Sequence, residues 1–241
     1  MPAQQDDELS KPAVVFSQSI IEADGFQIPY GEAGQGDTLV CLQEGGLRLS
    51  RAHELMAQRR HLIALETPGL GRSSARATSL KDLAHTMHTA VSSMGIDRFS
   101  IMAHSSGARL ALWMAIAQPQ RVPSVVLIAP AAASLPAELE VKPGAPAAHV
   151  IEPDSDDEFE VGLSSLETPV LALIGTDNPI ASSATAQMYR EKLRNFHLVM
   201  VYDAGAAMDA ERPEAVAAVV DDFLTRGESF IVRNKSGIIY P

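Results

Sequence analysis

The stretch Phe99-Ser-Ile-Met-Ala-His-Ser-Ser-Gly-Ala-Arg-Leu-Ala-Leu-Trp-Met-Ala-Ile-Ala-Gln118 changes its period halfway along. Phe99 to Ala103 is a short apolar run of strand length, whereas Ser106 to Gln118 is apolar at helical spacing until Pro119 stops it. Between them stands Ala103-His-Ser-Ser-Gly107, a small-x-Ser-x-Gly sequence at a strand-to-helix turn. Such a turn is tight and strained, so it wants small residues on both sides. It lifts the Ser105 hydroxyl above the sheet edge and aims the Ser106 backbone N–H at any oxyanion formed there. The reading is a nucleophile elbow with Ser105 as candidate nucleophile.

The same alternation extends outward in both directions. Upstream, Ser19–Glu22 and Phe26–Tyr30 flank the turn signal Asp24-Gly25 and predict a hairpin. A strand at Thr38–Leu42, an amphipathic stretch at Ser50–Arg60, a strand at His61–Leu65 and a helix at Ser79–Met94 follow. Ser79 is placed to cap that helix, Leu83, Met87 and Val91 recur at helical spacing, and Gly95 ends it. Downstream come the apolar run Ser124–Ala129, the strand Val170–Ile174, a helix at Ser182–Leu193, the strand Phe196–Tyr202 and a helix at Pro213–Phe223. Strands separated by crossover helices make a mostly parallel central sheet with helices on both faces.

The 241 residues, 46% hydrophobic, are enough for a real core, and residues 1–241 are read as one α/β domain. Thirty acidic side chains oppose 19 basic ones, a net charge of −11. That surface repels nucleic acid and anionic lipid, so the expected partner is a small molecule. Cys41 lies in an apolar run and reads as a buried core thiol. The polar, acidic start Met1–Ser10 lacks the pattern of a signal peptide, and no apolar run reaches membrane length; a cytoplasmic protein is expected. Residues 131–168, with Ala/Pro alternation and then the acidic cluster Glu152–Glu160, read as a short irregular lid, solvated in its acidic part. The tail 226–241 fits either an extra edge strand or a subunit contact, which makes a homodimer worth testing.

With its strand and helix context, the Ser105 pentapeptide resembles that of the α/β-hydrolase family, and the likeness runs from about Ile20 to Leu224. Leu65-Glu-Thr-Pro-Gly-Leu-Gly-Arg-Ser73 is similar to the family's D-x-P-G-x-G-x-S loop, with Glu66 for Asp. Pro169–Gly175 resembles the strand that ends at the catalytic acid. Ala204-Gly-Ala-Ala-Met208, followed by Glu211-Arg-Pro-Glu214, resembles G-H-x-x-x-x-E-R-P-E. The resemblance implies a serine esterase with Ser105 as nucleophile, Ser106 and Gly46 as oxyanion N–H donors, and no metal or organic cofactor. It also exposes departures. Anchored on Glu211-Arg-Pro-Glu214, the histidine position falls on Ala206. The acid turn reads Gly175-Thr-Asp-Asn-Pro179, with Asn178 where Asp normally stands and Asp177 one place early. The oxyanion loop reads Gln43-Glu-Gly-Gly46, so Glu44 and Gly45 replace the usual H-G, and a carboxylate stands beside the donor at Gly46.

Serine acyl transfer needs a base, an orienting acid and oxyanion donors, and this chain supplies them incompletely. His104 reads as a packed residue under the elbow. His85 and His88, three apart on one helix, read as a solvated face rather than a metal pair. His149, in the lid, is the one histidine imagined swinging over Ser105. Trp113 and Met114 read as core. The expectation is a barely catalytic or non-catalytic relative of carboxylic-ester hydrolases that binds a small apolar or carbonyl ligand. Two alternatives stay open: an active hydrolase of small esters or thioesters using Ser105 with a replacement base, and an engineered His-to-Ala form of such an enzyme. A cofactor-independent lyase or oxygenase with Glu44 or Asp177 as base ranks last.

Overall fold

The computed structural model describes residues 14–68, 79–131, 156–178, 183–227 and 237–239. It opens on the hairpin of β1 (Ser17–Ala23) and β2 (Phe26–Ala33), which pair antiparallel from Ser17↔Glu32 to Ala23↔Phe26. Asp24 and Gly25 both take left-handed backbone, φ +49° and +80°, as a two-residue turn between right-twisted strands requires. Then β and α alternate: β3 (Thr38–Gln43), α1 (Arg51–Ala57), β4 (His61–Glu66), α2 (Leu80–Ser93), β5 (Ser100–His104), α3 (Gly107–Ala117) and β6 (Val125–Ile128). The second half continues with α4 (Asp156–Ser165), β7 (Val170–Gly175), α5 (Ser183–Lys192), β8 (Phe196–Val201), α6 (Met208–Glu211), α7 (Pro213–Arg226) and β9 (Gly237–Ile239).

The described strands form one sheet in the order β1-β2-β4-β3-β5-β6-β7-β8-β9. Every pairing from β4 to β9 is parallel, and only the hairpin side is antiparallel. Alternation along the strands splits the core in two. Val40, Leu42, Ile63, Leu65, Ile101 and Ala103 face α2, α3 and α4, where Leu83, Met87, Leu110 and Phe159 meet them. Leu39, Cys41, Leu62, Ala64 and Met102 face α1 and α7, against Met56, Val216, Val220 and Phe223. α7 packs along α1, and Arg60 ties its far end down: Nε donates to Asp221 Oδ1 at 2.8 Å and Nη2 to Thr225 Oγ1 at 2.7 Å.

Most expected boundaries hold within a residue or two. Ser79 caps α2 by accepting the Asp82 N–H at 3.0 Å, and Trp113, Met114 and Cys41 are buried. Two expectations are corrected, and one of the two readings of the tail is observed. The segment expected to be irregular over 131–168 contains α4; its acidic start is not simply solvated, because Glu158 pairs with Lys81 and Glu160 with Lys192 while Phe159 is buried against Trp113. His88 is not on a solvated face: it is buried and its Nε2 bonds to the Met114 carbonyl oxygen at 2.9 Å, while His85 alone faces out. In the tail, residues 237–239 add a parallel edge strand to β8. His149 and the loop at Gly69–Ser73 lie outside the described residues. No helix among those described is long and apolar enough to cross a membrane.

Candidate active site

In a parallel sheet, the loops that leave the carboxyl ends of the strands gather at one edge, and those of β3, β5, β7 and β8 carry Glu44, Gly45, Gly46, Ser105, Ser106, Asp177, Asn178 and Ala206. Ser105 stands at the β5–α3 turn. Its φ is +45°, a left-handed conformation that costs an L-residue roughly 1–2 kcal/mol and that the surroundings must impose. The imposing bonds are backbone ones: the Ser105 N–H donates to the Ile128 carbonyl at 3.0 Å, and its own carbonyl accepts from Ala131 at 3.2 Å. The side chain is exposed. Strain and exposure together are what the sequence reading of this turn requires.

Glu44 occupies the start of α3. From the β3–α1 loop, its carboxylate accepts the Ser106 hydroxyl, at 2.7 Å from Oε2 and 2.9 Å from Oε1, and also the Gly107 backbone N–H. A Cβ at position 107 would stand 3.0 Å from Glu44 Oε1, so this carboxylate lies directly on the first turn of the helix. Free N–H groups and the helix dipole favour an anion there. Burial nevertheless pushes the Glu44 carboxyl above its ordinary range, partly offset by the Ser106 and Gly107 bonds. The loop reaches this position through Gly45 and Gly46, at φ +70° and +109°, and Arg48 N–H closes it on Gln43 Oε1 at 3.2 Å.

Beneath the Ser105 turn lies a histidine pair. The rings of His53, from α1, and His104 stack with centroids 6.3 Å apart. His53 Nδ1 accepts the Ser50 N–H at 3.1 Å and contacts Ser50 Oγ at 2.8 Å, and its Nε2 lies 3.3 Å from the Gln43 amide nitrogen. Burial, with His104 nearby, holds His53 down to about 4, against the opposing pull of Asp209; burial also lowers His104. His53 is buried and engaged below the sheet edge, whereas His104 is half-buried and its buried Nε2 has no hydrogen-bond partner. Burial pushes the Cys41 thiol up, which removes it as a nucleophile.

At the other side of the edge, the β7 and β8 loops are pinned together. A Cβ on Gly175 would stand 2.0 Å from the Ala204 carbonyl oxygen, so only glycine allows this approach. Asp177 N–H donates to that carbonyl at 3.0 Å, and Asp203 N–H to Thr176 Oγ1 at 3.0 Å. Asp177 is exposed, with Thr176 Oγ1 donating to its Oδ1 at 3.2 Å, whereas Asn178 is buried. Ala206 lies exposed in the turn from β8 to α6, where Glu211 reaches back to accept the Gly205 N–H at 2.5 Å. Of the expected residues the structure brings Glu44 and Ser106 into contact; the engagement of Glu44 and the stacking of His53 were not expected. Among the described residues no three His, Cys, Asp or Glu side chains are arranged to hold a metal ion.

Comparison with known proteins agrees with this architecture. A family model described as the alpha/beta hydrolase fold matches residues 49–150. The dihydrolipoyllysine-residue acetyltransferase component of the acetoin cleaving system of Cupriavidus necator is 28% identical over 130 residues, 52% of this chain and 35% of that protein. The chain spans less than half the length of the curated relatives it matches. Among solved structures, Cfl2 from Burkholderia cenocepacia superposes with a TM-score of 0.72 at 19% identity, covering 91% of this chain and 98% of that one. The naproxen esterase of Bacillus subtilis does so with a TM-score of 0.71 at 16% identity, covering 88% and 92%. The sheet order, the strained serine turn and these likenesses converge: the chain has the α/β-hydrolase fold.

Proposed function

We propose that this chain is a hydrolase-fold protein of carboxylic-ester-hydrolase descent whose serine machinery is dismantled, and that its Ser105 edge binds a small, largely apolar molecule rather than turning it over. Ala206 carries the reading. The position registered on the catalytic histidine holds a methyl group in an exposed turn, at the same sheet edge as a serine turn that keeps its strained backbone. Without a base the Ser105 hydroxyl keeps its proton at neutral pH, and loss of that base costs about a million-fold in turnover where it has been measured in a serine hydrolase. Two placements support the reading. Asn178, buried at the acid position, is an amide that cannot orient an imidazolium by charge, and Asp177 is exposed. Burial lowers the basicity of His53 and His104 beneath the turn, and His53 has its Nδ1 committed to Ser50, so both are weak candidates for a replacement base. The surface charge and the hydrolase-fold likenesses favour a small-molecule partner.

The test is hydrolysis of a short-chain p-nitrophenyl ester by the unmodified chain and its Ser105→Ala variant. Equal background rates are expected. Turnover by the unmodified chain that disappears in Ser105→Ala overturns the proposal and restores the active-hydrolase alternative.

A further inference from the structure

We infer that Thr38, His61 and Glu32 form a hydroxyl–imidazole–carboxylate relay at the sheet edge opposite the Ser105 turn, and that it makes Thr38 Oγ1 a nucleophile for activated acyl groups. The inference goes beyond the preceding reading and does not depend on it. β3 and β4 run parallel and begin together, with Thr38 registered on His61, so the two side chains leave the sheet on one face. β2 runs the other way, and Glu32, near its end, stands on that same face opposite Ile63. Three strands thereby bring three side chains together: His61 Nε2 lies 2.6 Å from Glu32 Oε1, and His61 Nδ1 lies 3.2 Å from Thr38 Oγ1. A carboxylate only accepts, so the neutral ring carries its proton on Nε2 and turns the Nδ1 lone pair to the hydroxyl. Serine-type acyl transfer divides its labour in this way, with a nucleophilic hydroxyl, a base within reach of it and a carboxylate that fixes the tautomer of the base.

Backbone holds the relay in place. The His61 N–H donates to the Asp37 carbonyl at 3.2 Å. A Cβ on Gly34 would stand 2.0 Å from the Arg60 carbonyl oxygen, so glycine lets the loop before Thr38 lie against the residues that lead into β4. The relay is also open to solvent. The side chains of His61 and Glu32 are 21% and 40% exposed, Thr38 is half-buried, and residues 34–37 ahead of it are exposed, which gives an acyl donor an approach from the loop. Ser105 stands at the other end of the strands, so the two hydroxyls answer separately to substitution. The same three contacts would serve equally as a cross-strand tie, and reactivity separates the two roles.

The probe is p-nitrophenyl acetate at pH 8. Thr38 Oγ1 forms the bond to the acetyl carbon, its proton passes to His61 Nδ1, and the bond from that carbon to the aryl oxygen breaks. p-Nitrophenolate leaves, the imidazolium gives its proton to solvent, and the acetyl ester remains on Thr38. Peptide mass spectrometry reads the acetyl group at each threonine. Thr38 is expected to acetylate about 100-fold faster than the exposed Thr176 and Thr225, the low end of what a placed base supplies, in the unmodified chain and in Ser105→Ala alike. Thr38→Ser should keep the label, and His61→Gln should bring Thr38 down to the rate of the other two threonines. Glu32 is a positioning residue, and nitrogen-15 resonance reads its part: the His61 ring should carry a proton on Nε2 alone at pH 8, and Glu32→Gln should move part of the population to Nδ1. Thr38 no faster than Thr176 and Thr225, a label that survives His61→Gln, or a His61 ring with a proton on Nδ1 at pH 8 in the unmodified chain overturns the inference and leaves a cross-strand tie. Because the label stays on the chain, at most one phenolate is released through Thr38, which sets this apart from sustained turnover. Turnover lost in Ser105→Ala refutes the proposed function, whereas an unlabelled Thr38 refutes the relay.

Discussion

Acid should find this fold through His53. The ring is 1% exposed and its Nδ1 receives the Ser50 N–H, so charging it means placing a proton against a donor in a site closed to water. Burial holds it down to about 4 in the folded chain, against 6.5 when unfolded. The sign follows from linkage: below about 6.5 the unfolded chain takes up the proton first, so stability falls as pH drops from about 6.5 towards 4 and the loss saturates below that. At 1.36 kcal/mol for each pH unit between the two values, this one ring removes about 3 kcal/mol over the window. That is a large part of the 5–15 kcal/mol by which domains are ordinarily stable. Urea unfolding at pH 7 and pH 4 checks it, and the informative quantity is the difference between the unmodified chain and His53→Gln, whose amide oxygen can still accept from Ser50. His104 is lowered in the same direction and Glu44 is raised, so both contribute to the total pH slope; Glu44 remains in the variant and cancels in the comparison, whereas His104 loses its charge coupling to His53 and cancels in part. The unmodified chain should lose about 3 kcal/mol more between the two pH values, a midpoint difference of about 1 M or more in urea. Parallel losses in the two proteins would refute the reasoning, and with it the picture of a neutral imidazole sealed under the serine turn.

Two further substitutions probe the backbone around the site. Ser105→Gly should stabilise the chain by about 0.5–1 kcal/mol, because relief of the left-handed strain exceeds glycine's extra freedom in the unfolded state. Calorimetry should show a melting temperature about 2 °C higher, with Ser105→Ala giving no gain; a glycine variant no more stable than the alanine one would mean the turn is unstrained. Gly175→Ala should cost about 2–3 kcal/mol, since its Cβ would collide with the Ala204 carbonyl and drive the β7 and β8 loops apart. A melting temperature within 1 °C of the unmodified chain, roughly the noise of such shifts, would show that these loops yield easily.

What could be read from sequence follows physical range. Strands and helices set by local period, such as Leu83, Met87 and Val91 in α2 or the run at 125–128, were legible because burial imposes their spacing residue by residue. So was the Ser105 turn, whose strain is encoded by its small neighbours. α4 was hidden by composition: Asp156, Asp157, Glu158 and Glu160 drew attention from Phe159, Leu163 and Leu166, which are buried in the core at helical spacing. The three residues of β9 are too few to show a period. His88 went wrong because two histidines three apart share a face only roughly, and the boundary of burial on α2 passes between them. The contact of Glu44 with Ser106 joins residues 62 apart in the chain, and no local rule contains it. The sequence could flag a carboxylate at an awkward position; only the fold shows which donors hold it.

The packing of α7 along α1, with Arg60 fastened to Asp221 and Thr225, spans about 160 residues. Its consequence concerns synthesis order. Both histidines have been made by residue 105 and the partners that impose the serine turn by residue 131, but the face of the sheet beneath them waits for residues 208–226. Until those arrive, α1 has no helical neighbour to lie against, His53 and His104 remain open to water with ordinary basicity, and Leu39, Leu62 and Met102 lack their cover. A ribosome stalled within the second half of the message would therefore display an apolar, protonatable surface that the finished chain never shows, and a chaperone that reads exposed hydrophobic strands would meet this protein chiefly in that interval.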